Sequence, residues 1–326
     1  MKGKKISNLR KIKYRIKKII HFFTIKIWVT SAEAGSSVVK KSWYKISRIV
    51  GTAVKKFSEN NCMISASDLT YYTLFAIVPF IAIAYGVAVL LGLETFLNAQ
   101  IHSALGGQGP LSENLIVFAQ KTIANARAGL ITIVASVIFL WAIFSMLGNI
   151  EKTMNRIWHV RKHRKFGRRV RDFVLFVLLG PVLLVIGSAA NIFVSANIID
   201  AIPDEMIQHS LRFLTSFFVP LGIFSVLFFL IYQGMPNRTI KPRSSFLAAI
   251  IAGTSFQVLQ YYYFGIQMSI STYNSIYGSF AALPLLLIFL RLSWILILFG
   301  AELAYGIEYE RRLSAFQQSR QPSRKP

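Results

Sequence analysis

Long apolar stretches alternate with short polar ones along this chain. Six of them, 68–93, 129–150, 172–200, 211–234, 244–265 and 279–304, reach the roughly 20 helical residues that a hydrocarbon core demands. Each predicts a membrane-spanning helix, because in lipid the backbone must satisfy its own N–H and C=O groups. Barrel strands would alternate over about 10 residues, and these stretches are longer and uniformly apolar. Two further segments carry a different pattern. Leu9, Ile12, Ile16, Ile19, Phe23 and Ile27 recur every three or four residues among lysines and arginines, as do Trp43, Ile46, Val50, Val54 and Phe57. Both predict amphipathic helices with basic polar faces, lying in the plane of a membrane interface.

Charge orients the spans. Of 37 Lys+Arg, 16 precede the first span, nine follow the second, three follow the fourth and five lie in the tail. The loops after spans one, three and five hold two, one and none, and Arg291 is the remaining one. Every second loop is basic, which predicts six spans with both chain ends in the cytoplasm. Tyr261, Tyr262, Tyr263 and Phe264 fall where the fifth span would leave the outer face, as interfacial aromatics do. A secretory leader is the rival for residues 1–35, with an apolar run from Ile19 to Val29 and then Ala32-Glu33-Ala34. His21, Thr24 and Lys26 interrupt that run, and cleavage would export the lysines that follow. The expected organisation is basic amphipathic helices over 1–66, a six-helix membrane domain over 67–305 and a polar tail over 306–326.

Composition agrees with an all-α, multi-pass protein of the cytoplasmic (inner) membrane. Hydrophobic residues make up 54% and charged ones only 15%, below the roughly 25% of soluble chains. Mean hydropathy is +0.51. The formal charge of +24 predicts anionic lipid headgroups as partners, in particular for the basic loop 151–171. Charge by itself would also suit nucleic acid, but no specific nucleic-acid partner is expected. A single cysteine, Cys62, excludes a disulfide scaffold.

Catalytic signatures are missing from the sequence. The five histidines, His21, His102, His159, His163 and His209, form neither H-x-H-x-D nor H-E-x-x-H. His159 and His163 are four apart, but basic neighbours repel a divalent ion and no acid or cysteine completes the set. No phosphate loop, G-x-S-x-G or C-x-x-C occurs. The expectation is a non-enzyme without metal or cofactor.

Within the spans, Arg291 stands about 12 residues, or ~18 Å, from either end of the sixth. That is too far to snorkel, so it is expected to face the bundle or a wet cavity. Neutral partners would be Asn191, Gln257, Gln260, Ser188, Thr254 and Tyr85. Two readings stay open: a cross-link between helices, or a positive site for an anionic substrate bound by Arg291, Gln257, Gln260 and Asn191. Glu302, at the inner end of the same span, could couple protons or hold a helix in register. Pro79, Pro181, Pro220 and Pro284 are expected to interrupt spans one, three, four and six, hinting at two inverted halves of three spans.

Four sequence runs then stand out: Asp68-Leu69-Thr70-Tyr71-Tyr72-Thr73-Leu74-Phe75-Ala76-Ile77-Val78-Pro79; Asn155-Arg156-Ile157-Trp158; Ile276-Tyr277-Gly278-Ser279-Phe280-Ala281-Ala282; and Leu298-Phe299-Gly300-Ala301-Glu302-Leu303. Their order and spacing over about residues 60–310 resemble the YihY/BrkB membrane-protein family, once labelled ribonuclease BN. The resemblance implies a six-helix inner-membrane protein, with lipid or lipopolysaccharide-precursor movement suggested for some members. It singles out Tyr71, Tyr72, Pro79, Asn155, Trp158, Tyr277, Gly278, Gly300 and Glu302. The chain departs from the family pattern at Phe289-Leu290-Arg291, where an aromatic-rich run is usual, and at Ile77-Val78, where a serine is usual. What holds for Arg291 therefore need not hold for the family.

The expected function is a transporter or translocator of an amphipathic or anionic, lipid-like substrate. The alternative is a non-catalytic envelope structural or assembly protein that binds anionic lipid. A membrane ribonuclease ranks last. A homo-oligomer is compatible with either leading role.

Overall fold

The computed structural model describes residues 38–90, 129–161, 164–194, 202–272 and 282–320, with isolated positions between 91 and 128. Seven helices and no strand occur among them: α1 (Val38–Glu59), α2 (Cys62–Leu90), α3 (Gly129–Ile157), α4 (Phe166–Val194), α5 (Glu205–Gly234), α6 (Pro242–Thr272) and α7 (Ala282–Arg320). The predicted amphipathic segment 9–27 lies outside the described residues, as do Tyr277 and Gly278.

Local chemistry sets the helix ends. Asp204 caps α5, its carboxylate accepting from the backbone N–H of Met206 at 2.8 Å and of Ile207 at 3.3 Å. Pro242 opens α6, where its missing N–H costs nothing. Between α1 and α2 the helix is broken at Asn61, whose φ of 52° an asparagine tolerates. His159 takes a similar φ of 51° just after α3, and the Val160 N–H donates back to the Asn155 carbonyl at 2.8 Å.

Among the described residues four helices are long and apolar enough to cross a membrane, over Cys62–Ile83, Val137–Ile157, Glu205–Gly234 and Leu283–Ser314. The predicted third and fifth spans are also helical, within α4 (29 residues) and α6 (31 residues). Thr254, Ser255, Gln257 and Gln260 make the middle of α6 more polar than its neighbours.

Helix α6 packs between α5 and α7, α7 also meets α1 and α2, and the chain continues round through α2–α3 and α4–α5 contacts. The best-buried part of the core, including Trp158, Tyr232, Leu298 and Ala301, sits toward the end of the bundle where the basic loops gather. That end is called the basic end below.

Two expectations need correction. The prolines do not interrupt the helices: α2 and α5 continue through Pro79 and Pro220, and the backbone at Pro181 stays helical. Pro284 stands in the first turn of α7, where proline is tolerated. The helical sixth span does not stop near 304; α7 runs 39 residues to Arg320. Helix α1 runs antiparallel along the extension of α7: Phe57 packs edge-on against Phe299, Asn60 bonds Glu302, and Arg48 pairs with Glu310. Gly306 permits the approach, since a Cβ there would stand 3.0 Å from the Ile49 carbonyl oxygen. Ile49 and Phe57 take the inner side with Arg48 and Asn60, and Trp43 (63% exposed), Ile46 and Val54 face outward.

Candidate functional site

At the basic end, residues far apart in sequence converge on Glu302. Its carboxyl is fully buried; Oε1 accepts from Asn60 Nδ2 at 2.7 Å and from the Cys62 thiol at 3.5 Å, while Oε2 has no partner. Arg156 donates to the Asn60 carbonyl at 3.3 Å and to Ser65 Oγ at 3.2 Å, tying α3 to the α1–α2 corner. On the outer side of that corner Lys56 donates to Glu59 at 2.8 Å, which holds the Glu59 carboxyl below its usual range and the ammonium above it.

Asn155, Trp158 and Gly300 complete this packed node. Asn155 Oδ1 accepts from the Asn237 N–H at 2.7 Å, fastening α3 to the α5–α6 turn. Trp158 is buried against Tyr305, ring centroids 5.7 Å apart, and its carbonyl accepts from Arg238 at 3.3 Å. Gly300 lets α5 and α6 press on α7: a Cβ would run into the Tyr232 hydroxyl and stand 2.8 Å from Ala252 Cβ. The Tyr232 hydroxyl itself donates to the Ile297 carbonyl at 2.9 Å.

Beside this node, α2, α3 and α4 line an open cavity of about 630 Å³. Its polar side carries Asn149, Glu151, Lys152, Asn155 and Arg169, and its apolar side Tyr72, Trp141, Phe144, Phe166 and Phe173. Arg169 Nε stands 2.9 Å from Glu151 Oε2, but neither atom makes an aligned hydrogen bond, so the pair is an ion pair only. Glu151 is almost wholly buried, whereas the Arg169 side chain is 41% exposed. The guanidinium lies 5.2 Å over the Phe173 ring. Gly148 makes room for it, because a Cβ there would stand 2.6 Å from Arg169 Nη2. Arg164, by contrast, is committed to structure: it binds Asp172 at 2.9 Å and the carbonyls of Gly234 and Pro236 at 2.6 and 2.9 Å.

Farther from the basic end, one shoulder of α6 carries a polar row. Gly253, Gln257, Gln260 and Gln267 follow the spacing of a single helix face. The side-chain oxygens of Gln257, Gln260 and Gln267 are buried without partners, and so is Ser225 Oγ of α5. Gly253 brings the two helices together there, 2.7 Å separating its would-be Cβ from Ser225 Oγ.

Arg291 does not join this row. Phe289 faces α6, stacked on Tyr263 at 4.3 Å, and Arg291 follows two residues later, about 200° around α7. It is exposed on a stripe with Leu283, Ile288 and Leu292, which corrects the expectation of an inward-facing cation. The apolar residues of α7 that contact α2 and α6 took the inner positions. Asn191 lies on the described backbone of α4, but its side chain is outside the described residues. Tyr71 is exposed against Phe75, ring centroids 4.7 Å apart, while its neighbour Tyr72 lines the cavity.

In the sequence, Lys152 and Arg169 stand out only as part of a basic loop, and Gly148, Phe144 and Phe173 do not stand out. A glycine seven residues before Asn155, one helical face from it and opposite a cluster of arginines, was the available signal. Among the described residues no group of three or more His, Cys, Asp or Glu is gathered as a metal site.

A family model described as "Virulence factor BrkB" matches residues 53–325. A UPF0761 membrane protein of Alteromonas mediterranea is 28% identical over 78% of this chain and 85% of its own length. Another, of Saccharophagus degradans, is 30% identical over 81% of this chain, which spans 60% of that relative. A third, of Acinetobacter baylyi, is 28% identical over 88% of this chain and 66% of its own length. No solved structure matches the chain.

Proposed function

The chain belongs to the BrkB family of membrane proteins, and we propose that it moves an anionic amphiphile across the cytoplasmic membrane. In this reading α2 to α7 are the six spans, and both chain ends face the cytoplasm. The gathering of Arg164, Lys165, Arg238, Lys241 and Arg243 at one end of the bundle supports that orientation.

The observation that carries translocation is the α6 row. Between Gln257 and Gln267 lie about 15 Å of helix with unpartnered amide oxygens, in a helix more polar than α2 to α5. An orphaned buried amide costs about 1–3 kcal/mol by mutational measures, and more against hydrocarbon. A bundle meant only to be solid would carry leucine there. Acceptors in a row suit a hydroxylated or hydrated headgroup passing along the α5–α6 seam. In reconstituted vesicles carrying a labelled anionic lipid, Gln257→Leu with Gln260→Leu should lower the flip rate by about tenfold or more, at unchanged or higher thermal stability. Undiminished flux in that variant overturns the reading.

A second reading, an envelope assembly protein without transport, draws on α1. Its outward stripe of Trp43, Ile46, Val50 and Val54 has no cover among the described residues, as a docking helix requires. Absence of flux for every lipid tried, together with retention of a partner that Trp43→Ser releases, would favour it.

A further inference from the structure

We propose that the cavity between α2, α3 and α4 holds one anionic phospholipid with a hydroxylated headgroup. The inference deepens the translocation reading by naming the substrate class and its entry point, but it rests on separate geometry.

The cavity is divided in chemistry. On one side Lys152 and Arg169 supply two cations against the single carboxylate of Glu151, leaving net positive charge for a phosphate. Only Nε of Arg169 is turned to Glu151, and the planar guanidinium can present a second edge to phosphate oxygens, as arginine does bidentately. Asn149 and Asn155 line the cavity with amide groups that can hydrogen-bond headgroup hydroxyls. A phosphoglycerol group matches both demands at once.

The other side explains why the ligand is a lipid and not a free phosphate. Phe144 and Phe173 are shared with a second cavity of about 190 Å³, whose remaining walls are Ile83, Leu140, Ile143, Leu147, Val177 and similar aliphatic residues. Every side chain around it is apolar. The two phenylalanines thus form a common wall between a charged compartment and a greasy slot. That arrangement fits an amphiphile whose phosphate stays at the basic end while an acyl chain follows α3 toward the middle of the bilayer. Phe166, largely exposed at the rim and at the start of α4, is suited to the interface where such a molecule enters.

The test uses the full-length protein in detergent micelles, with bound lipid counted by native mass spectrometry. Phosphatidylglycerol should be retained over phosphatidylcholine by about tenfold, the scale of one or two charge-assisted hydrogen bonds. Lys152→Gln, an exposed change, and Gly148→Ala, which keeps every charge but displaces the guanidinium, should each reduce that preference severalfold without lowering thermal stability. Val177→Phe, which fills the slot, should weaken binding of the intact lipid while leaving the charged compartment as it is. Glycerophosphate should fail to displace the lipid. Equal retention of the two lipids, or an unaltered preference in both Lys152→Gln and Gly148→Ala, overturns the site. Displacement by glycerophosphate as effective as by lipid overturns the acyl slot. Because binding is read at equilibrium, selective retention without flux would refute translocation alone.

Discussion

Gly300→Ala is the sharpest probe of how α5, α6 and α7 are held together. The added methyl would collide with the Tyr232 hydroxyl, approach the ring carbon bearing it to 3.0 Å and sit 2.8 Å from Ala252 Cβ. All three neighbours are buried and none is the loose tip of a surface side chain. Overpacking a well-filled core costs about 1–3 kcal/mol. Pushing the hydroxyl off the Ile297 carbonyl adds about 1 kcal/mol, toward the low end because polar pairs within membranes average less than that. A total of about 2–4 kcal/mol follows. Removing the hydroxyl beforehand should relieve one of the clashes, so Tyr232→Phe with Gly300→Ala should lose about 1 kcal/mol less than the two changes summed. Reversible unfolding in mixed micelles measures all four corners of the cycle. Strict additivity, or a Gly300→Ala protein as stable as the parent, would refute the close-approach argument.

Three further outcomes are expected. Glu302→Gln should stay within about 1 kcal/mol of the parent because an amide can still accept from Asn60, whereas Glu302→Leu strands that donor and should cost about 1–3 kcal/mol; equal losses would contradict the hydrogen-bond account. Arg48→Ala leaves Glu310 without its partner in a nearly buried position, so hydrogen exchange over residues 42–59 should speed up by at least tenfold while the spans stay protected. Cys62, the single cysteine and fully buried, should resist maleimide until the protein is denatured; rapid labelling in the folded state would mean that the corner is open.

Much of the fold could be read from the chain because its signals are one-dimensional. Apolar runs longer than a bilayer is thick leave few alternatives to helix, and the helices fall where those runs do. The residues that matched family signatures at 155–158 and 298–303 do meet at one end, although no periodicity could have said that Glu302 would bond Asn60. The extension of α7 was hidden because Glu308, Glu310, Arg311 and Arg312 look like a solvated tail. They are instead absorbed in part by packing: Glu308 accepts from Ser244 at 3.1 Å and Glu310 pairs with Arg48. Arg291 misled for a related reason. Depth along a helix follows from counting residues, but the side it faces depends on which neighbours occupy the other faces, and the Phe289–Tyr263 stack decided that. The cavity was invisible to pattern reading since its walls come from three helices and its shape hinges on one absent methyl group at Gly148.

Past Glu302, α7 continues for about 27 Å in the same unbroken helix as the segment that traverses the core. A pivot of some 10° about the Gly300 crossing would swing its tip sideways by roughly 5 Å. That movement has no slack to vanish into, because α1 is strapped to α7 at Arg48 and Asn60, and α2 starts just beyond Asn61. Whatever grips the far end of this two-helix mast therefore holds a lever on the wall that bears Tyr72, some distance away on the other side of the corner.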